Sequence, residues 1–249
     1  LDVEHAIGVA DGTMALLMSL MAAGVKKGDE VIVPSHTFIA SAAAIHHAGA
    51  IPILVECARD HLIDTSLVEE KITERTKAIM PVQLNGRVAD MNKIQQIANK
   101  YELIVLEDSC QALGAKFDNR FAGTFGVAGT FSFFPAKTLG CFGDGGAIIT
   151  DQNDINEKAR IIRDHGRDPT DGKIKMFGFN SRLDNIQAAI LNLKLKYYDE
   201  DIARRRTIAS IYQEHLCGID DLLLPPAPDC DPRYFDIYQN YDCLLYTSP

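Results

Sequence analysis

The chain has 249 residues, 47% hydrophobic and 24% charged, with a formal net charge of −9. That charge argues against a nucleic-acid surface, which needs a basic patch, and no apolar run reaches the roughly 18 residues of a membrane span. Six scattered cysteines with no CxxC pair argue against a zinc ribbon and a disulfide framework; with no charged-then-apolar leader, a reducing cytoplasm is the expected location.

The elements alternate along the chain. "ADGTMALLMSLMAAG" opens a helix at Gly12 and Thr13. "DEVIVP" (29–34) reads as a strand, "FIASAAAIHHAG" (38–49) as a helix ending at Gly49, and "IPILVE" (51–56) as a second strand. "DTSLVEEKIT" (64–73) predicts a helix with Asp64 as its N-cap. "KAIMPVQL" (77–84) is a third strand. "DMNKIQQIANKY" (90–101) predicts a helix capped by Asp90, with an apolar stripe at 91, 94, 97 and 98. "LIVLED" (103–108) is continuously apolar, as strands buried on both faces are. Two more strands are predicted at 128–133 and 146–150, then a helix from about 153 to 164. Residues 183–216 predict one long helix, or two with a bend. Arg204, Arg205 and Arg206 read as the solvated side of that helix. "LLLPPAPDCDP" (222–232) reads as a linker. The start at Leu1 and the uncapped end "NYDCLLYTSP" suggest an incomplete chain whose last handful of residues are not the native continuation.

Such alternation implies an α/β fold: a mostly parallel central sheet with right-handed crossovers and helices on both faces. Ligands in such sheets sit at the carboxyl ends of the strands. Asp108, the segment from Ser132 to Lys137, and the segment from Pro34 to Phe38 all end strands and are expected to converge.

Lys137 is the sharpest chemical candidate. A lysine in water is protonated (reference pKa about 10.4) and is no nucleophile near neutral pH. Desolvation lowers that value, which is how Schiff-base lysines are made. An arbitrary loop lysine is ordinarily just exposed, but Lys137 follows the apolar "FSFFPA" and precedes a glycine-rich turn. Asp108 closes a buried strand, where a carboxylate needs a partner. That partner is either a helix or turn N–H or the protonated ring nitrogen of a pyridine cofactor. The helix start at Gly12 and Thr13 offers backbone N–H groups to a phosphate, and Ser132 offers a hydroxyl. "GCFGDGG" precedes a strand, not a helix, so it is not a dinucleotide fingerprint. His46 and His47 are adjacent on a helix and face different directions, so no metal site is predicted.

Five motifs carry a resemblance: "DGTMAL", "EVIVPSHTFIASAAAI", "LEDSCQALGA", "TFSFFPAKTLGCFGDGGAIIT" and "GFNSRLDNIQAAI". In this order the chain resembles the DegT-type family of aminotransferases that use pyridoxal 5'-phosphate (PLP) and act on nucleotide-linked sugars. The resemblance implies the PLP-dependent transferase fold type I. It divides the chain into a PLP-binding large domain (1–182, its N-terminal segment missing), a long connecting helix (183–221) and the start of a truncated C-terminal small domain (222–249).

The resemblance also implies roles. Lys137 would carry the cofactor and shuttle the proton, and Asp108 would bond the pyridine nitrogen. Gln111 would reach the ring hydroxyl and Phe38 would stack on the ring, with Cys110 at its other face. Gly12, Thr13 and Ser132 would hold the phosphate, joined by Asn180 of a second subunit in a homodimer. His165 and Arg182 would lie near the substrate. The expected reaction moves an amino group from glutamate to a keto group of a nucleotide-linked sugar. A sugar dehydratase or another PLP enzyme of the same fold, a non-catalytic PLP-binding protein and an inactive fragment are the alternatives.

Overall fold

Apolar runs without polar alternation have to be covered on both faces. The computed structural model, which describes residues 1–245, places them at the centre of a seven-stranded sheet. The first five strands are β1 (His5–Val9), β2 (Glu30–Pro34), β3 (Ile51–Val55), β4 (Thr76–Ile79) and β5 (Ile104–Asp108). A small hairpin follows, β6 (Lys116–Phe117) and β7 (Arg120–Phe121), and then β8 (Ala128–Ser132) and β9 (Gly146–Thr150). The sheet order is β1-β9-β8-β5-β4-β2-β3. Strands β3, β2, β4, β5 and β8 pair in parallel. Only β9 opposes the rest, pairing antiparallel with both β8 and β1. The reason is local: β8 and β9 are joined by the lysine loop rather than by a crossover helix, and a short connection returns the chain antiparallel.

The helices of this layer are α1 (Gly12–Ala22), α2 (Ala40–His47), α3 (Met91–Tyr101) and α4 (Asn153–Ile162). Successive strand residues face opposite sides of a sheet, and the end of β5 shows which helices lie where. Asp108 accepts from Ser41 on α2. Its neighbour Glu107 accepts from Gln83, whose amide also touches Met91 on α3. So α2 and α3 cover opposite faces. Asp90 caps α3 through Lys93 N at 3.2 Å, and Met91, Ile94, Ile97 and Ala98 are all buried, as the apolar stripe requires. Glu107 also accepts from the backbone N–H groups of Gly123, Phe125 and Gly126. It pins the turn before β8 and takes no part in the cleft on the other face.

Several elements differ from the sequence reading. The predicted helix 64–73 is a turn followed by a short 3-10 segment, Glu69–Lys71. Asp64 turns its carboxylate onto Ser66 N and Oγ instead, a local bond that competes with helix. Strand β4 ends before Pro81, which has no N–H to give the ladder. β1 was hidden in "HAIGV", where Ile7 and Val9 alone turn inward. Residues 183–216 form two helices, α5 (Asn185–Lys194) and α6 (Tyr198–Leu216), joined by a 3-10 turn at Leu195–Tyr197.

Arg205 and Arg206 are not a solvated face. They donate to the carbonyls of Tyr238, Gln239 and Asp236. The segment they hold returns to the turn after β4, where Ile237 N donates to Gly86 O and Gln239 N to Asn85 O. β10 (Leu222–Leu223) pairs with β12 (Leu244–Leu245), while β11 (Tyr234–Phe235) joins the β6–β7 hairpin. Ile237 is fully buried there. The expectation of a non-native end falls largely on residues 246–249, outside the described residues. No helix among the described residues is long and apolar enough to cross a membrane.

Candidate active site

The carboxyl ends of β2, β5 and β8 surround a cleft of about 460 Å³, well within the range of small-ligand sites. Asp108 forms part of its wall with only 5% of its surface exposed. Its Oδ2 accepts from Ser41 Oγ at 2.7 Å and its Oδ1 from Cys110 N at 3.2 Å. Both donors are neutral, and among the described residues no cationic side chain pairs with it. A buried carboxylate in this state has capacity left for one charged donor.

Opposite lies the start of α1. Asp11 caps Met14 N at 2.8 Å, while the amides of Gly12 and Thr13, which no helix can satisfy internally, open on the cleft. Gly12 is required by close packing: a Cβ there would sit 2.7 Å from Ser132 Cβ and 3.1 Å from Cys110 Sγ. In register Asp108 pairs Thr130, so Ser132, two residues on, faces the same side as Asp108. Helix N-terminus, hydroxyl and carboxylate thus share one face of the sheet.

The lysine loop completes the cleft. β8 ends at Ser132, Phe133 N bonds Gly145 O at 2.7 Å, and a tight turn from Phe134 to Lys137 follows (Lys137 N to Phe134 O, 2.9 Å). Lys137 is half-buried, lines the cleft, and has no salt-bridge partner among the described residues. Gly146, at the start of β9, lets the strand run against α1; a Cβ there would meet Asp11 O at 2.4 Å. Burial pushes the Cys110 thiol well above its ordinary pKa, the Asp108 charge adds to this, and the Lys137 ammonium opposes it. The thiol therefore stays protonated.

Of the sequence-predicted site residues, Gly12, Thr13, Phe38, Asp108, Gln111, Ser132 and Lys137 all line this one cleft. Gln111 is oriented: its Oε1 accepts from Asn85 N at 2.8 Å, which leaves its NH₂ for a ligand. Phe38 is 67% exposed at the mouth. Asn180, His165 and Arg182 do not line the cleft of their own chain. They sit on an exposed excursion held by bridges between Asp164 and Asn180 and between Arg167 and Ile174, with Arg182 paired to Asp164.

Sequence reasoning missed Ser41, Thr37, Asp144, Gln239 and Asn240. Thr37 bonds Ser41, while Thr37, Asp144, Gln239 and Asn240 line the cleft. Asp144 had a signal, its place in the glycine turn beside Lys137; Gln239 and Asn240 had none.

An amine and a buried carboxylate, neither with an ionic partner among the described residues, thus face one cleft beside the N-terminus of a helix. The arrangement suits a cationic ring that carries a phosphate tail and an electrophilic carbon. The chain is also similar to known proteins. The chain is 44% identical over 234 residues, 93% of its length, to the dTDP-3-amino-3,4,6-trideoxy-alpha-D-glucose transaminase of Streptomyces venezuelae, and covers 61% of that protein. It superposes on the crystal structure of S. venezuelae DesV in complex with a ketimine intermediate with a TM-score of 0.93 at 40% identity, covering 98% of this chain and 65% of that one. It also matches NtdA of Bacillus subtilis with bound cofactor PMP (TM-score 0.89, 34% identity, 98% and 55% covered). The chain therefore spans about three-fifths of the length of the curated relatives it matches. A family model matches residues 1–240, and on fold, cleft and sequence together the chain belongs to the DegT/DnrJ/EryC1/StrS aminotransferase family.

Proposed function

We propose that this chain is the cofactor-binding part of a PLP-dependent aminotransferase. In this reading it takes an amino group from glutamate and delivers it to a keto group of a nucleotide-linked sugar. The observation that carries the reading is that Lys137 and Asp108 line one cleft and that neither has an ionic partner among the described residues. The residues present fit PLP: Asp108 has an acceptor site to spare, and the Gly12 cradle is one that a Cβ would fill. When bound, PLP supplies an electron sink for the carbanion formed next to the transferred nitrogen.

The chain's own groups do the rest. Asp108, oriented by Ser41 and Cys110 N, would keep a pyridine nitrogen protonated. The Gly12 and Thr13 amides and Ser132 Oγ bind phosphate. Gln111 would present its NH₂ to a ring hydroxyl, and Phe38 would lie against the ring. Lys137 would hold the cofactor through its Nζ and would hold and move a proton at that same atom. Cys110 stays neutral and so does not compete as a nucleophile. A homodimer supplies Asn180 to the neighbouring phosphate site and brings His165 and Arg182 near the substrate. Phe177, 99% exposed on the same excursion, supports a second copy of the chain as the cover. Six free cysteines support a reducing cytoplasm as the place of reaction.

The test is direct. Added PLP gives a visible absorbance band that borohydride removes, with the label mapped to Lys137. Glutamate converts the bound cofactor to the pyridoxamine form with release of 2-oxoglutarate, and Lys137→Ala loses both. A label on another lysine would falsify the assignment.

A further inference from the structure

The peptide groups on either side of Lys137 are held by a single side chain from far along the sequence. Gln239 Oε1 accepts from Thr138 N at 2.8 Å, and its Nε2 donates to Ala136 O at 3.0 Å. An amide has one accepting end and one donating end. Turned over, it would set oxygen against oxygen and N–H against N–H, so the two bonds define one orientation. Gln239 is itself fixed at both ends of its backbone. Its N donates to Asn85 O at 2.9 Å, and its O accepts from Arg205 of α6 at 3.2 Å.

Other side chains hold the loop further on. Tyr198 meets the Thr138 hydroxyl, Lys194 donates to Gly140 O, and Gln187 bonds both N and O of Phe142. Among the described residues only the Gln239 side chain grips the backbone immediately flanking Lys137. A lysine at the end of a flexible stem, on a loop, needs such support, since a reactive group has to be held within about 0.5 Å of its working place.

We infer that Gln239 is a positioning residue for Lys137: by bridging Ala136 O and Thr138 N it fixes the peptide frame from which the lysine enters the cleft. The inference rests on the reading of Lys137 as the cofactor-bearing amine, but the frame itself is testable without cofactor. Gln239 is held by Arg205 and by the Asn85 turn, which in turn is held by Gln111. The C-terminal segment therefore reports its position to both the lysine and the ring-hydroxyl site.

The test uses two variants of the whole chain. Gln239→Leu keeps the side chain's approximate length and removes both bonds. Gln239→Glu keeps an acceptor for Thr138 N and loses the donor to Ala136 O. In the cofactor-free chain, Gln239→Leu speeds hydrogen exchange at the Thr138 amide tenfold or more, while Gln239→Glu retains its protection. In both variants the pH profile of Lys137 acylation, mapped by mass spectrometry, moves from that of the wild type.

With PLP present, both variants lower kcat with little change in KM, and the pH titration of the borohydride-sensitive band shifts. Two results overturn the inference: unchanged Thr138 exchange in Gln239→Leu, or faster exchange with the Lys137 acylation profile unmoved, which leaves Gln239 a purely structural tie. Failure of the proposed function looks different. There the wild type itself forms no borohydride-sensitive band, while the cofactor-free exchange and acylation results still decide the role of Gln239.

Discussion

At the scale of single residues, the site is built by exclusion as much as by attraction. Gly12 lets the first turn of α1 close onto Ser132 and Cys110, and an alanine there would put a carbon 2.7 Å from Ser132 Cβ. Both neighbours belong to short, tightly bonded strand ends, so the helix start has to move. Overpacking of this kind costs about 1–3 kcal/mol. Gly12→Ala is therefore expected to weaken PLP binding by roughly 10- to 100-fold, measured by absorbance titration, with the far-ultraviolet circular dichroism of the chain retained. Unaltered PLP affinity would show that the amides of α1 do not meet the phosphate.

Residue-scale legibility was uneven for a physical reason. Lys137, Asp108 and Gly12 announce themselves by local context: an amine after an apolar run, an acid closing a strand, a glycine at a helix start. Ser41, which bonds Asp108 across 67 positions, and Gln239, which grips the lysine loop across more than 100, are ordinary polar residues locally. Only the folded chain brings them to the cleft. Glu107 and Asp108 stand side by side in the sequence, and the pleat alone decides that one pins a turn while the other faces the cleft.

At the scale of elements, the buried parallel strands and the amphipathic α3 were legible because burial imposes a period on them. The 64–73 segment was not, since its acid made a local turn, and the arginine run of α6 was misread because its partners lie in a later segment. That helix is tied to the lysine loop by Tyr198, whose hydroxyl donates to Leu113 O at 2.7 Å and meets Thr138 Oγ1 at 2.8 Å. Burial pushes the Tyr198 phenol up from 10.0 to about 12. Tyr198→Phe leaves two half-buried groups short of a partner and is expected to lower stability by about 1 kcal/mol at pH 8, read by urea denaturation.

The sign of its pH dependence follows from the raised value. The folded chain holds the phenolic proton more tightly than the unfolded chain, so the contribution is whole below pH 10. It declines as pH rises through the interval from 10 to about 12. The stability gap between wild type and Tyr198→Phe should narrow across that interval. A gap that widens would place the phenolate, not the phenol, in the fold.

At the scale of the whole molecule, the proposed function leaves the cleft of one chain to be completed by a second copy. Three of the residues expected at the site, Asn180, His165 and Arg182, lie on an excursion away from their own cleft. Near them are large apolar side chains that water should not meet: Phe177, Met176 and Ile174 on the excursion, and Ile186 at the start of α5. Gln187, next to Ile186, bonds the backbone of Phe142 in the loop that follows Lys137, so a contact on α5 reaches the lysine loop through one residue. A two-fold interface would cover the apolar excursion and carry Asn180 into a second cleft in the same step.

Phe177→Asp would place a charge in that proposed contact. It is expected to shift the chain from dimer to monomer in sedimentation equilibrium and to lower PLP affinity about tenfold, because each phosphate site then loses the Asn180 amide, a bond worth roughly 1–1.5 kcal/mol. Asn180→Ala should reproduce the affinity loss while remaining dimeric. A monomeric Phe177→Asp chain that binds PLP as tightly as the wild type would mean that each cleft is complete within its own chain.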